Sequence, residues 1–481
     1  MQHANYERLS AMDASQLGLE RDGVHMHMGG VSIFEAKPLL DERGALDVER
    51  IERYVASRLH RLPRYRQKLA WTPLENHPVW VDDASFNLKY HVRYTSLPRF
   101  GGERELKRLT GRIISQALDR GKPLWEMWFV DGLPEGRIAL ITKIHHCMVD
   151  GVGGASLMTA LMRTDADAGI EPARTFVPRP APSPGTLLRD ELRRRAGIPL
   201  AAARAISAAL AEPRETLDGA RELLAGIRES VATQFGDTVA TPFNRTIGPH
   251  RRLDWASVDL AVVKEIGKRL GGTVNDVVLA VFSGAVGRFL VDEGVSLAGE
   301  HFKALVPVNM RDPKRENTAS GNRVAFVIAE LPVTEKDPVQ RLERVVEVMR
   351  GLKGSRMTRG TDALVKLLDA SFPSLFTPLA RLGSGGDSYN LVVTNVPGPQ
   401  FPTYLLGARQ LETYPYSPLF AAQALTVTAF SYDGRLFWGF NSDWDALPEL
   451  HDLVVDVQQE FERFREAARA ERPAPRAEPA A

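Results

Sequence analysis

The feature that most restricts how this chain can fold is an interruption, near its middle, in otherwise regular alternation of strand and helix signals. Up to about Asp167 the two kinds of segment alternate. Residues 46–69, LDVERIERYVASRLHRLPRYRQKL, space their apolar side chains for a helix that Pro63 interrupts. Residues 137–147, RIALITKIHHC, form a β-rich run behind the turn-forming LPEG, and VDGVGGASLMTALM then predicts a glycine loop opening a helix. Pro172, Pro178, Pro180, Pro182 and Pro184 next crowd into an extended connector. Residues 187–235 are rich in Ala, Leu, Arg and Glu with few strand formers, which predicts helix.

Alternation resumes near Thr241. ALVPVNM, RVAFVIAELPV, YNLVVTNV and ALTVTAFSYDGRLFWGF are the strand candidates, the last a hairpin turning at Asp433-Gly434. The predicted fold class is mixed α/β (α+β): an N-terminal domain over 1–185, a helical linker over 186–240, a C-terminal domain over 241–467 and a disordered tail over 468–481. No sequence repeat relates the two halves.

At about 150 residues per domain, 481 residues predict two or three packing units. The 61 Lys and Arg against 60 Asp and Glu lack the basic excess of a nucleic-acid binder, so no nucleic-acid partner is expected. Cys147 is the only cysteine, which rules out an intrachain disulfide and a cysteine-rich metal centre. The opening MQHANYERLSAMDASQ lacks the apolar core of a secretory signal, and no run of about 18 apolar residues follows. A cytoplasmic enzyme is expected, with any membrane contact peripheral. Residues 364–383, LVKLLDASFPSLFTPLARLG, fit equally a core helix and a surface that docks on lipid.

The chemistry concentrates in HHCMVDG, residues 145–151, at the end of a predicted strand. Neighbours along a strand point to opposite faces, so His145 and His146 do not readily serve one cavity. That argues against a metal, which needs convergent ligands, and neither HExxH nor another ligand cluster is visible; no metal is expected. One histidine facing a cleft fits general base catalysis, because imidazole titrates near neutrality and its neutral form accepts a hydroxyl proton. Asp150 could orient the imidazole or hold the loop through an ion pair with an arginine, and Gly151 fits a turn that a side chain would obstruct. The residues alone fit equally a core histidine followed by an Asp-Gly turn. Cys147, one step along the strand, should face away from His146 and pack. No GK[ST] follows the glycines, and no GxSxG occurs, which disfavours nucleotide hydrolysis and an α/β-hydrolase.

HHCMVDG resembles the HHxxxDG signature of the coenzyme A-dependent acyltransferase superfamily. The rest of the chain resembles the bacterial wax ester synthase/diacylglycerol acyltransferase family, in order and over nearly its whole length. The matching features are MDASQLGLE, MHMGG, Pro123-Leu124-Trp125, GPHRR, TVNDVVLA, VPVNMR, Gly321-Asn322 and NVPGP. The resemblance implies two chloramphenicol-acetyltransferase-like domains with the active site in a tunnel between them. It implies His146 as general base, His145 in support, Asp150 as a structural ion pair and Gly151 as the motif turn. The partner expected for Asp150 is Arg66, with Arg311 second. Acyl-CoA is the implied donor and coenzyme A a product, with no bound cofactor. The implied acceptor is a fatty alcohol or diacylglycerol, giving wax esters or triacylglycerol, with peripheral contact to the inner membrane face or lipid droplets. An alternative keeps HHxxxDG chemistry with a carrier-protein-bound donor or a different alcohol.

The remaining motifs carry two readings each. Thr273 and Asp276 before an apolar run form a helix cap, yet the resemblance places Asn275 and Asp276 near the tunnel. Pro123, Leu124 and Trp125 read as a packed turn or as channel walls. Asn395 and Gly398 in NVPGP read as a tight turn or as the border of the coenzyme A entrance.

Overall fold

β-Branched and aromatic runs bounded by turn residues become strands throughout the chain. The computed structural model describes residues 5–21, 23–148, 157–167, 169–196, 238–299, 301–309, 324–353 and 388–470. Its strands in chain order are β1 (Tyr6–Arg8), β2 (His27–Glu35), β3 (Gln67–Trp71), β4 (Pro78–Asp82), β5 (Val92–Ser96), β6 (Trp125–Leu133), β7 (Arg137–His145), β8 (Arg251–Asp259), β9 (Lys303–Asn309) and β10 (Val324–Glu330). There follow β11 (Leu391–Pro397), β12 (Tyr404–Leu405), β13 (Ala408–Tyr416), β14 (Leu425–Tyr432) and β15 (Arg435–Asp443).

Two large sheets carry the structure, ordered β12-β13-β2-β7-β6-β5 and β10-β9-β11-β14-β15-β8, beside a small sheet β1-β4-β3. The first sheet packs one face on an N-terminal core containing Ile51, Tyr54, Val55, Trp125, Ile138, Leu140 and Ile144. Its other face joins Trp255, Tyr432 and Phe437 of the second sheet through Val31, Ile33, Ala139 and Ile141. Strand β7 is therefore apolar on both faces, as a strand between two cores must be. The second sheet buries its far face under the helices Leu260–Leu270, Val274–Asp292, Pro338–Lys353 and Leu450–Ala470. Val274–Asp292 is long and apolar enough to cross a membrane, but 78% of that window is buried inside this half, as for a core helix.

The expected hairpin is present. β14 pairs antiparallel with β15, and Asp433 and Gly434 both take positive φ, 43° and 79°, as a two-residue turn that follows strand twist requires. Thr273 caps Val274–Asp292 through the Asp276 N–H, and the Asp276 carboxylate accepts the Thr273 N–H in return.

Three expectations need correction. The C-terminal half is not self-contained over 241–467: β12 and β13 leave it, and β13 pairs antiparallel with β2 of the first sheet. Gly29 and Gly30 allow the close approach: a Cβ on Gly30 would lie 3.0 Å from the Tyr414 carbonyl oxygen of β13, and one on Gly29 would lie 2.9 Å from the Tyr416 hydroxyl and 1.9 Å from the Thr142 carbonyl oxygen of β7. Second, the tail does not begin at 468: the last helix runs to Ala470, with Phe461, Phe464 and Ala468 continuing its buried stripe. Third, the helix expected from 186 already spans 184–196, while 197–237 of that linker lie outside the described residues. The apolar segment 364–383 lies outside them as well.

Candidate active site

Alternation along β7 sends Ile138, Leu140 and Ile144 into the N-terminal core and Ala139 and Ile141 to the other face. His145 is the last strand residue; a short 3-10 turn, His146–Met148, begins at the next. His145 is 1% exposed, whereas His146, which already belongs to that turn and not to the strand, is half-buried. Cys147 packs into the N-terminal core, and burial pushes its thiol pKa well up, which suits packing rather than nucleophilic attack.

His145 is held from two sides. Its Nδ1 accepts the Cys147 N–H at 3.1 Å, which places the ring proton on Nε2, 3.2 Å from Glu20 Oε1. Burial alone would raise the Glu20 pKa. The contact with His145, an ion pair from Arg120 at 2.7 Å and the Met26 N–H at 2.9 Å overcome that and hold it well below the usual carboxylate range. His146 donates its backbone N–H to the Met26 carbonyl at 2.7 Å. The segment from Glu20 to Met26 thus grips both histidines of the pair. Desolvation, with a smaller contribution from His145, pushes the His146 pKa down to about 4, so its imidazole is neutral at physiological pH.

Leu124 and Trp125 are fully buried beneath this corner. The Leu124 carbonyl accepts the His145 N–H at 3.0 Å, and Trp125 stacks on His91 at 4.6 Å while its indole N–H donates to the Tyr65 carbonyl. Packing is the role visible for Pro123-Leu124-Trp125. Asn275 and Asn395 are brought together, Nδ2 of Asn395 lying 3.5 Å from Oδ1 of Asn275. Asp276 Oδ2 serves the helix cap, while its Oδ1 is buried with no partner among the described residues. Gly398 is demanded by packing, because a Cβ there would lie 2.3 Å from Phe430 and 2.4 Å from the Ser431 carbonyl oxygen. Arg66 lays its guanidinium over Phe176 at 4.2 Å. Asp150, Gly151 and Arg311 lie outside the described residues.

Sequence reasoning missed Glu20, although it sits inside the quoted MDASQLGLE, and it missed His25 and His27. A glutamate far up the chain has no spacing relation to His145. Only the ladder between β2 and β7, which sets His27 directly opposite His145, brings these groups together.

Comparison with known proteins bears on the fold and the family. The fold matches that of the first condensation domain of the calcium-dependent antibiotic synthetase, with TM-score 0.59, 16% identity, and 98% of this chain and 97% of the other covered. Two-domain, condensation-like architecture is thus the class to which the structure belongs. Residues 9–278 match the wax ester synthase/diacylglycerol acyltransferase catalytic domain, and residues 320–465 the C-terminal domain of the same family. A wax ester synthase/diacylglycerol acyltransferase from Marinobacter aquaeolei superposes with TM-score 0.65 at 26% identity over 96% of this chain and 99% of that one. A Mycobacterium tuberculosis protein named putative diacylglycerol O-acyltransferase is 32% identical over 97% of this chain and 91% of its own length. The chain belongs to the wax ester synthase/diacylglycerol acyltransferase family and is an enzyme of the acyltransferase class.

Proposed function

We propose that this enzyme moves a long-chain fatty acyl group from acyl-CoA to the hydroxyl of a fatty alcohol or a diacylglycerol, with His146 as general base. One observation carries the reading: of the two motif histidines, His145 is locked by Glu20 and a backbone N–H, while His146 is partly open and held neutral. The acceptor hydroxyl gives its proton to the imidazole as its oxygen attacks the thioester carbonyl. Collapse of the tetrahedral intermediate breaks the carbon–sulfur bond, and the imidazolium returns the proton to the departing thiolate. No acyl-enzyme forms, and Cys147 takes no part. Holding both substrates together turns a bimolecular encounter into a positioned one. Asn275 and Asn395, paired across two elements of the C-terminal half, are proposed to border the substrate channel between the halves.

The Arg66 Nε is buried and finds no acceptor among the described residues, which favours it over Arg311 as the ion-pair partner of Asp150. Both proposed acceptors and their esters are strongly apolar, so work at a membrane or lipid-inclusion surface belongs to the same proposal. The test is release of free coenzyme A from palmitoyl-CoA, with hexadecanol or dioleoylglycerol, by the wild type and His146→Ala. Acceptor-dependent release that collapses in the variant supports the mechanism and ranks the acceptors. Silence of the folded wild type with both sends the donor assignment to carrier-bound acyl groups, and equal rates sink the role of His146.

A further inference from the structure

The helix Glu103–Ser115 ends against the first sheet, and its last carbonyls have no partner within the helix. Three side chains meet them in succession. Lys143 Nζ donates to Ile113 at 3.0 Å, His27 Nδ1 lies 3.3 Å from the Ile114 carbonyl oxygen, and His25 faces the Ser115 backbone. Helix capping accounts for one nitrogen of the His27 imidazole. A ring nitrogen that meets a carbonyl must carry the proton, so the other nitrogen of that ring presents a lone pair.

The second nitrogen of His27 faces Glu20, and His25 offers one ring nitrogen to the same cluster. His27 is 3% exposed, and its Nε2 is fully buried without a hydrogen-bond partner among the described residues, 3.9 Å from Glu20 Oε1. The His25 and His27 rings stack at 5.1 Å and 12°, and the ligand atoms of Glu20, His25 and His27 all lie within 4.8 Å of one another. Glu20 turns Oε2 to Arg120, while Oε1 accepts the Met26 N–H at 2.9 Å and faces His145 at 3.2 Å and His27 at 3.9 Å. His27 is therefore oriented by a backbone carbonyl and the carboxylate by an arginine, the outer-shell arrangement that protein metal ligands use.

We propose that Glu20, His25 and His27 form a binding site for a divalent cation of the zinc class, with His27 Nε2, one ring nitrogen of His25 and Glu20 Oε1 as ligands. Two imidazoles and one carboxylate suit Zn²⁺ or Co²⁺, whereas Mg²⁺ and Ca²⁺ require oxygen ligands. Lys143 and Arg251 impose positive charge here, which further disfavours ions held by charge attraction alone. Bond lengths of about 2.0–2.1 Å need the three atoms closer together than they stand. The half-buried His25 supplies that freedom, while His27 is fixed on β2. The site shares Glu20 with the contact that holds His145, so its test reads cation binding and not acyl transfer.

The test is titration of chelator-treated full-length protein with Co²⁺, read by visible d–d absorption and by calorimetry. One Co²⁺ per chain is expected, displaced by Zn²⁺ and not by Mg²⁺. Binding should be lost in His25→Ala and in His27→Gln, the former being a half-buried residue whose removal leaves the fold intact by circular dichroism. It should persist in His301→Ala, which removes a surface histidine paired with Glu330 in the other half. Absence of stoichiometric Co²⁺ binding by the wild type, or binding unchanged in His25→Ala, would overturn the proposal.

Discussion

Glu460 and Glu20 are withdrawn from solvent in opposite halves of the molecule, and their partners differ in kind. Glu460 is fully buried among arginines: Arg288 from the helix Val274–Asp292, Arg341 from Pro338–Lys353 and Arg463 from its own helix. A guanidinium does not lose its proton at any physiological pH, so that cluster has one charge state and serves to join helices. Glu20 keeps a single arginine, Arg120, and otherwise faces the imidazoles of His145 and His27. Similar desolvation thus yields a lock between helices in one half and a carboxylate shared among imidazoles in the other. The identity of the partner decides which.

Four measurements sharpen or break this contrast. His146→Ala should show the largest effect, a fall in acyl transfer of about 10²–10⁴-fold with an unchanged circular dichroism spectrum. Glu460→Ala should act on stability alone. Arg341, nearly fully buried, would lose its carboxylate partner, which costs about 3–5 kcal/mol in urea unfolding while turnover per folded molecule holds. A loss of turnover there would erase the distinction between the halves.

Glu20→Ala should do the reverse. Freed from Glu20, the His145 ring and the peptide leading out of His146 lose their anchor, and kcat should drop by up to about 10²-fold with KM nearly constant. Glu20→Gln, which keeps an oxygen acceptor, should recover part of that rate. A change confined to KM would place Glu20 in substrate binding instead.

The smallest effect is the pH dependence. The base must be unprotonated, so kcat/KM should stay level below neutrality and halve where His146 titrates, near pH 4. The folded pKa values of His146 and His91, both about 4, lie below the ordinary 6.5. The unfolded chain therefore binds more protons, and the associated stability, present above pH 6.5, is lost as pH falls through 4. Far-ultraviolet circular dichroism across the same range separates unfolding from titration of the base.

Local patterns made much of the fold readable in advance. β7 announced itself by its apolar run, the β14–β15 hairpin by Asp433-Gly434, and the start of Val274–Asp292 by Thr273 and Asp276. Each is set by neighbours within a few residues, where backbone sterics and capping hydrogen bonds act. Strand alternation does not reach His146 and Cys147, because a 3-10 turn begins at His146; Cys147 packs in the same core as Leu140 and Ile144, where a continued strand would have put it on the other face. The departure of β13 to the first sheet was not readable either, because it depends on two glycines of β2 allowing a distant strand to approach.

The sequence by itself determined that the chain builds two mixed α/β halves, that HHCMVDG closes a buried strand, and that the whole resembles one acyltransferase family. Tertiary structure alone decided which groups surround that strand's end. Glu20, His25, His27, the Ile114 carbonyl and the Ser115 backbone converge there through sheet register and the docking of one helix. Register and docking come from the burial of whole faces, a collective quantity that no short stretch of residues encodes.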